Sequence, residues 1–376
     1  MPYLDNNATT QPLPEVVEAV RVSLMDQWHN PSSVHRAGQA ARHAVELARA
    51  ELARLLSVKP RELILGGSGT ESIDHAIRGS LNATGKSVVV TSDIEHAAVR
   101  DLCGALGGDG VEVRMLPVVD GVVDAASLPD MLASGDVAVV SVQWANNETG
   151  AIMPVERIHE ICREHRVAFH CDGTQWIGKL PVPASGPPCD LLTASAHKFH
   201  GPKGLGLLWV RRGIGLRPVL HGSQELGRRG GTENVPGAVG AGVVAVQARD
   251  WLASESDRER LGELRDRFEQ SVLDQCPGAV VNGPREHRLW NTSNIGFPGL
   301  EAEALLLAFS ERGLAASAGA ACSSGSLDPS PVLLAMGIAP NVAHGSVRFS
   351  LSRLTTESEI EEAIETVSEC VGRFRV

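Results

Sequence analysis

The chain reads as an α/β protein with a large domain built on a mainly parallel, seven-stranded sheet and a smaller α+β domain at the C-terminal end. Three observations predict this. Short apolar runs alternate with helical patterns through the first two-thirds of the chain, the signature of a parallel sheet covered on both faces. The length of 376 residues exceeds one ordinary core. Beyond about residue 250 the pattern changes to charged helices and short isolated strands.

Seven apolar runs carry the sheet: 62–65, 87–91, 112–116, 137–142, 167–172, 191–194 and 206–210. Helical periodicity lies between several of them, over 70–81, 97–106 and 155–165, and a long amphipathic helix over 38–56 precedes them. The large domain is expected to span 16–255. The smaller one is expected to combine 1–15 with 256–376, with helices over 254–275, 301–312 and 357–371 and strands over 293–297 and 347–351.

Composition excludes several classes. A net charge of −11 argues against a general nucleic-acid or membrane-surface role. No apolar run reaches the roughly 18–20 residues of a membrane span. Met1-Pro2-Tyr3-Leu4-Asp5 lacks the basic and then apolar pattern of a secretion signal, so a cytoplasmic location is expected. The seven cysteines form no C-x-x-C pair, which argues against a disulfide framework and a structural zinc site.

The chemistry begins at Ser195-Ala196-His197-Lys198. The chain has five lysines against 29 arginines, so a lysine in small, glycine-rich company is a rare choice. Lysine forms a Schiff base and arginine does not. Ser195 and His197 beside it suit a phosphate, which together describe what pyridoxal phosphate requires. Gly66-Gly67-Ser68-Gly69-Thr70-Glu71 lies between a strand and a helix, where backbone N–H groups and the helix N-terminus favour a phosphate; a capped glycine turn explains it equally well. Asp172 ends a strand, where it reads either as a carboxylate for a pyridinium nitrogen or as a helix cap. His96 follows a strand end, where a flat ring could stack on a cofactor and move protons, although a structural histidine is the commoner case. Asn146-Asn147-Glu148-Thr149-Gly150 suits a turn and also carboxylate or cofactor binding. Sites of this kind recur at successive strand ends, namely Thr70, His96, Asn147, Asp172 and Lys198, which structural punctuation alone does not explain. The stretch 317–326, within a loop of about 317–331, is almost all small residues and carries Cys322, which fits a nucleophile that must travel.

These residues carry a resemblance over nearly the whole chain. Tyr3-Leu4-Asp5-Asn6-Asn7-Ala8-Thr9-Thr10, Asn30-Pro31-Ser32-Ser33, Glu95-His96, Asn146 to Gly150, Asp172-x-x-Gln175, Ser195 to Lys198, Arg229-Gly230-Gly231-Thr232-Glu233-Asn234, the Cys322 loop and Arg348-Phe349-Ser350-Leu351 resemble the group I (NifS/IscS-type) cysteine desulfurases. The resemblance implies a fold type I pyridoxal-phosphate enzyme of the class V aminotransferase group, a sulfurtransferase acting as a homodimer on L-cysteine. It implies that Lys198 holds pyridoxal 5'-phosphate as a Schiff base, Asp172 meets the pyridine nitrogen, Gln175 the ring hydroxyl, and His96 stacks on the ring. Gly69, Thr70, Ser195 and His197 would hold the phosphate, with Thr232 contributed by the neighbouring subunit. Asn147 and Arg348 would bind the substrate carboxylate, and Cys322 would take the sulfur as a persulfide for an acceptor protein in iron–sulfur cluster assembly or another transfer pathway. No resident metal is implied; a cluster held transiently by Cys322 during handover is compatible with the pattern. Two departures stand out. The phosphate loop is richer in glycine than the family's Thr-Ser-Gly-Ala-Thr-Glu, and Ala318 and Ala320 replace serines ahead of Cys322.

Other readings of the same residues are a selenocysteine lyase, a small-substrate aminotransferase of the same fold, and a non-catalytic sulfur-transfer scaffold. An aminotransferase has no use for Cys322, and a scaffold has none for Lys198, Asp172 and His96 together.

Overall fold

The structure, a computed structural model, describes residues 2–319 and 328–375. Nine strands precede residue 211: β1 (Leu63–Gly66), β2 (Val88–Ser92), β3 (Glu112–Leu116), a two-stranded hairpin of β4 (Val118–Val119) and β5 (Val122–Val123), β6 (Val137–Gln143), β7 (Ala168–Asp172), β8 (Leu191–Ser195) and β9 (Gly206–Val210). Seven of them form one sheet in the order β1-β9-β8-β7-β6-β2-β3. All neighbouring pairs are parallel except those of β9, which runs antiparallel to both β1 and β8. The seven expected runs match these strands to within a residue or so at each end.

The sheet is buried on both sides, and side chains divide between the faces with period two. Val88, Val90, Leu63, Leu65, Leu207 and Trp209 join one core with the helices Arg36–Leu55, Val155–His165 and Val235–Leu252. Val89, Ile64, Leu208 and Val210 join the other with Gly69–Thr84 and Ala97–Gly108. The helix Arg36–Leu55 buries Ala41, Ala44, Val45, Ala48, Leu52 and Leu55, a stripe at helical spacing.

Two of the longer helices lie outside the expected set. Val235–Leu252 is apolar on nearly every side, so it has no amphipathic period to read. Its Gly242 packs on the helix Arg36–Leu55, where an added Cβ would stand 2.7 Å from the Ala48 Cα. Pro14–Asp26 buries only Val16 and Ser23, and its apolar Val17, Leu24 and Met25 face outward.

A second sheet has the order β10-β11-β13-β12, all antiparallel, from β10 (Val280–Val281), β11 (Thr292–Gly296), β12 (Ser317–Ala318) and β13 (Ser346–Ser350). Its core gathers Phe268, Phe297, Phe309 and Phe349 around Leu4. The N-terminal segment reaches this sheet through bridges from Tyr3 to Ala315 and from Asp5 to Ser350. Asn6 and Asn7 then cross to the first sheet.

Candidate active site

Carboxyl ends of parallel strands leave a crevice where neighbouring connections diverge. Here that crevice is a cavity of about 230 Å³ lined by Gly69, Thr70, His96, Asn147, Asp172, Gln175, Ser195, His197 and Lys198, with Ser68, Thr174 and Gln143 among its other walls. Nine residues singled out in the sequence therefore converge on one space. Arg348 lies next to it, donating to the Asn147 carbonyl at 3.2 Å and to Asp5 at 2.8 Å. Thr232 does not reach it; it is exposed and borders a separate small cavity with Gly66, Gly67 and Arg229. Cys322 lies outside the described residues.

One end of the cavity is built for an anion. Ser68 caps the helix Gly69–Thr84 by accepting from the Glu71 N–H at 3.1 Å. The N–H groups of Gly69 and Thr70, at the helix start, have no helical acceptor and border the cavity. Glu71 holds the loop in shape, accepting from Gly67 N–H at 2.9 Å and from the Arg229 guanidinium at 2.7 and 3.1 Å. Gly206 sits against this loop: a Cβ there would stand 2.0 Å from the Ser68 carbonyl oxygen, so only glycine fits. Burial, with Lys198 and Lys203 nearby, pushes His197 down to about 4, leaving it neutral.

Asp172 forms the opposite wall. Its Oδ1 accepts from Thr174 N–H at 3.1 Å, the Thr174 hydroxyl at 2.6 Å and the Thr193 hydroxyl at 3.2 Å. Behind it His170 bridges Ser141 at 2.8 Å and Thr193 at 3.1 Å, and burial holds this ring down to about 4. His96 caps the next helix, its Nδ1 accepting from Ala98 N–H at 3.1 Å, so the other ring nitrogen carries the proton in the neutral form. Burial lowers the His96 pKa; Asp172 opposes this, and Lys198, Arg100 and Arg348 reinforce it.

The Lys198 ammonium donates to the carbonyls of Asn7 and Ala8 at 2.7 and 2.8 Å. Gln175 donates to the same Asn7 carbonyl at 3.0 Å. Asn7 also donates from its side chain to Asn147 O at 3.1 Å and to Thr292 at 2.9 Å, which links both sheets. The sequence reading did not single out Asn7, Thr174 or Lys179 as site residues. Lys179 could have been noticed as one of five lysines, placed in the apolar run Ile177-Gly178-Lys179-Leu180 one helical turn after Gln175.

The donor set suits pyridoxal phosphate. Neutral N–H donors at a helix start match its phosphate, a carboxylate matches a protonated ring nitrogen, and the lysine that supplies a primary amine lines the same cavity. Two buried polar atoms here lack protein partners among the described residues, Asn147 Oδ1 and Arg348 Nε, as expected beside a polar ligand. Fold and cavity thus define the class: an α/β enzyme of the pyridoxal-phosphate fold type I group.

Comparison with known proteins narrows the class. The family model described as aminotransferase class-V matches residues 2–363. A cysteine desulfurase of Trichormus azollae is 45% identical over 376 residues, which cover 99% of this chain and 93% of that protein. A solved NifS-like protein superposes with a TM-score of 0.91 at 34% identity, covering 99% of this chain and 100% of the other. A structure described as SspA in complex with cysteine gives a TM-score of 0.82 at 30% identity, covering 95% and 100%. The chain belongs to the class-V aminotransferase family and, within it, to the pyridoxal-phosphate-dependent cysteine desulfurases.

Proposed function

We propose that this cavity takes L-cysteine, that Lys198, His96 and Cys322 carry the chemistry, and that the products are L-alanine and a persulfide on Cys322. The observation that carries the reading is the convergence of Lys198, Asp172 and the anion-binding helix start on one cavity, with Arg348 at its edge. Gly69, Thr70, Ser195 and His197 hold the cofactor phosphate, Asp172 its ring nitrogen and Gln175 its ring hydroxyl. His96 would stack on the ring, and Lys198 would hold the reactive carbon. Bound pyridoxal phosphate supplies the electron sink for charge left at the substrate Cα.

The protein's own groups do the rest. Arg348 and Asn147 grip the substrate carboxylate, Arg348 with a planar fork suited to two parallel hydrogen bonds. The Lys198 amine takes the Cα proton and returns a proton to the carbon skeleton. His96 is neutral, so its protonated ring nitrogen can donate without adding a charge to the cavity. The Cys322 thiolate attacks the substrate sulfur; an S–S bond forms as the Cβ–S bond breaks, and the electron pair of that bond stays with the carbon fragment, which leaves as alanine. The six described cysteines support Cys322 as the nucleophile: all are buried, and burial raises the thiol pKa of Cys103, Cys162 and Cys171.

The same proposal includes a division into a cofactor unit of 16–255 and a smaller unit of 1–15 with 256–376, supported by the separate core around Phe349 and Leu4. It includes a cytoplasmic homodimer in which Thr232 of the partner subunit completes the phosphate site. The outward Val17, Leu24 and Met25 on one helix, with Trp28 beyond it, support a covered face there. The persulfide passes to an acceptor protein, for iron–sulfur cluster assembly or another sulfur-transfer route. Lys198→Ala should abolish the yellow absorbance of the loaded protein. Cys322→Ser should keep that absorbance and stop sulfide release from cysteine; retained turnover in that variant overturns the assignment.

A further inference from the structure

A second lysine lies under the cavity floor. Lys179 is 5% exposed. Its ammonium donates to the side-chain oxygen of Asn7 at 2.7 Å and to that of Gln175. The charged groups that act on it are Lys198 and Arg348, both cations, and burial and both cations lower its pKa. A buried amine with amide partners and cationic neighbours is costly, so its position calls for a role.

Hydrogen-bond polarity supplies one. The Asn7 backbone carbonyl can only accept, so the Gln175 atom that meets it at 3.0 Å is the nitrogen. The Gln175 oxygen is then the atom that meets Lys179. That leaves the second N–H of Gln175 for the cavity, whose wall it forms. Lys198 donates to the same Asn7 carbonyl at 2.7 Å, so one oxygen aligns both side chains. Without Lys179, the Gln175 amide loses the donor that keeps its oxygen turned away from the cavity.

We propose that Lys179 is a positioning residue that holds the Gln175 amide with an N–H toward the cofactor's ring hydroxyl and thereby lowers the proton affinity of the Schiff-base nitrogen formed by Lys198. The proposal rests on the roles given above to Lys198 and Gln175. An N–H donor stabilises the ring oxygen as phenolate, which weakens that oxygen's hold on the shared proton. Among the described residues, the other titratable groups around Lys198 are Asp172, His96, His197, His200, Arg353 and the Arg348–Asp5 pair, and the test leaves all of them in place.

The test is a visible-absorbance pH titration of the cofactor-loaded protein for the wild type, Lys179→Met, Gln175→Ala and the double variant. Lys179→Met should raise the midpoint by about one pH unit, and Gln175→Ala should move it the same way. In the double variant, loss of Lys179 should add less than about 0.3 unit to the Gln175→Ala shift, because it acts through Gln175. An unmoved midpoint in Lys179→Met, or fully additive shifts, overturns the proposal. If circular dichroism shows Lys179→Met unfolded, Lys179→Gln takes its place, too short to span both acceptors: an upward shift supports the proposal and an unmoved midpoint overturns it. Lys198→Ala separates the layers. Loss of its absorbance together with an unmoved Lys179→Met midpoint sinks this inference alone, whereas retained absorbance sinks the reading of Lys198.

Discussion

Ser317 stands directly opposite Arg348 in the antiparallel pairing of β12 with β13. The segment that leads to Cys322 is thus paired in register with the strand that carries Arg348, the arginine proposed for the substrate carboxylate. In the proposed roles, the start of the nucleophile's tether and the substrate's anchor share one sheet. Arg348 is itself buried and aligned by Asp5.

Replacing Arg348 with lysine keeps a positive charge and removes the planar fork. The expected outcome is a KM for L-cysteine raised by about 10–100-fold, with a smaller change in kcat, because the lost contact holds the carboxylate before and during the reaction. Steady-state sulfide release measures it. An unchanged KM would remove Arg348 from the carboxylate site.

Gly319 and Ser330 flank Cys322 in the chain, and both meet Glu148. A Cβ on Gly319 would stand 2.0 Å from Glu148 Oε2, and the Ser330 hydroxyl donates to the same oxygen at 2.7 Å. Gly319→Ala should therefore leave cofactor absorbance intact and cut persulfide formation on Cys322 by roughly tenfold or more, since an overpacked contact shifts its neighbours. Mass spectrometry of the Cys322 peptide after exposure to cysteine reads the result. Unaltered persulfide yield would show that Glu148 does not control the loop.

Gly206→Ala places its Cβ 2.0 Å from the Ser68 carbonyl oxygen. The cost should be roughly 1–3 kcal/mol of stability, with weaker binding of pyridoxal phosphate because the displaced atom belongs to the phosphate loop. Denaturant unfolding and cofactor titration measure the two effects. A loss of stability with full cofactor affinity would separate the loop from the binding site.

Glu95 is fully buried, and burial raises its carboxyl pKa to about 8. Its oxygens meet the Ser92 hydroxyl at 2.7 Å and Gln143 N–H at 2.9 Å; the hydroxyl can turn to accept, so a protonated acid fits as well. The folded state then holds a proton that the unfolded state has released. Its contribution to stability is fully present below pH 4.5, the unfolded value, and is lost as pH rises to about 8. Glu95→Gln should flatten that decline, by up to about 1.4 kcal/mol per pH unit. Thermal unfolding of both proteins across this range tests it, and parallel curves would refute it.

The strand ends were readable because a parallel sheet buries whole apolar runs and then must stop at polar residues. His96, Asn147, Asp172 and Ser195 each follow or end such a run. Asn7 was not readable as a site residue, and Lys179 only as one of five lysines set in an apolar run one helical turn after Gln175. Asn7 belongs to the site through a carbonyl, which no side-chain pattern reports, and its partner Lys198 is 191 positions away. Lys179 is recognised by the company it keeps in space. The helix Val235–Leu252 escaped because burial all round erases the period by which helices are found.

The bridge from Asp5 to Ser350 ties two stretches far apart in the chain to one site. Residues 7 and 8, whose carbonyls receive the Lys198 ammonium, lie more than three hundred positions from the strand that this bridge joins. The same segment is anchored on the large sheet's side as well, where Thr10 bonds to His197 and His200, so a change at either anchor reaches the two carbonyls that meet the Lys198 amine.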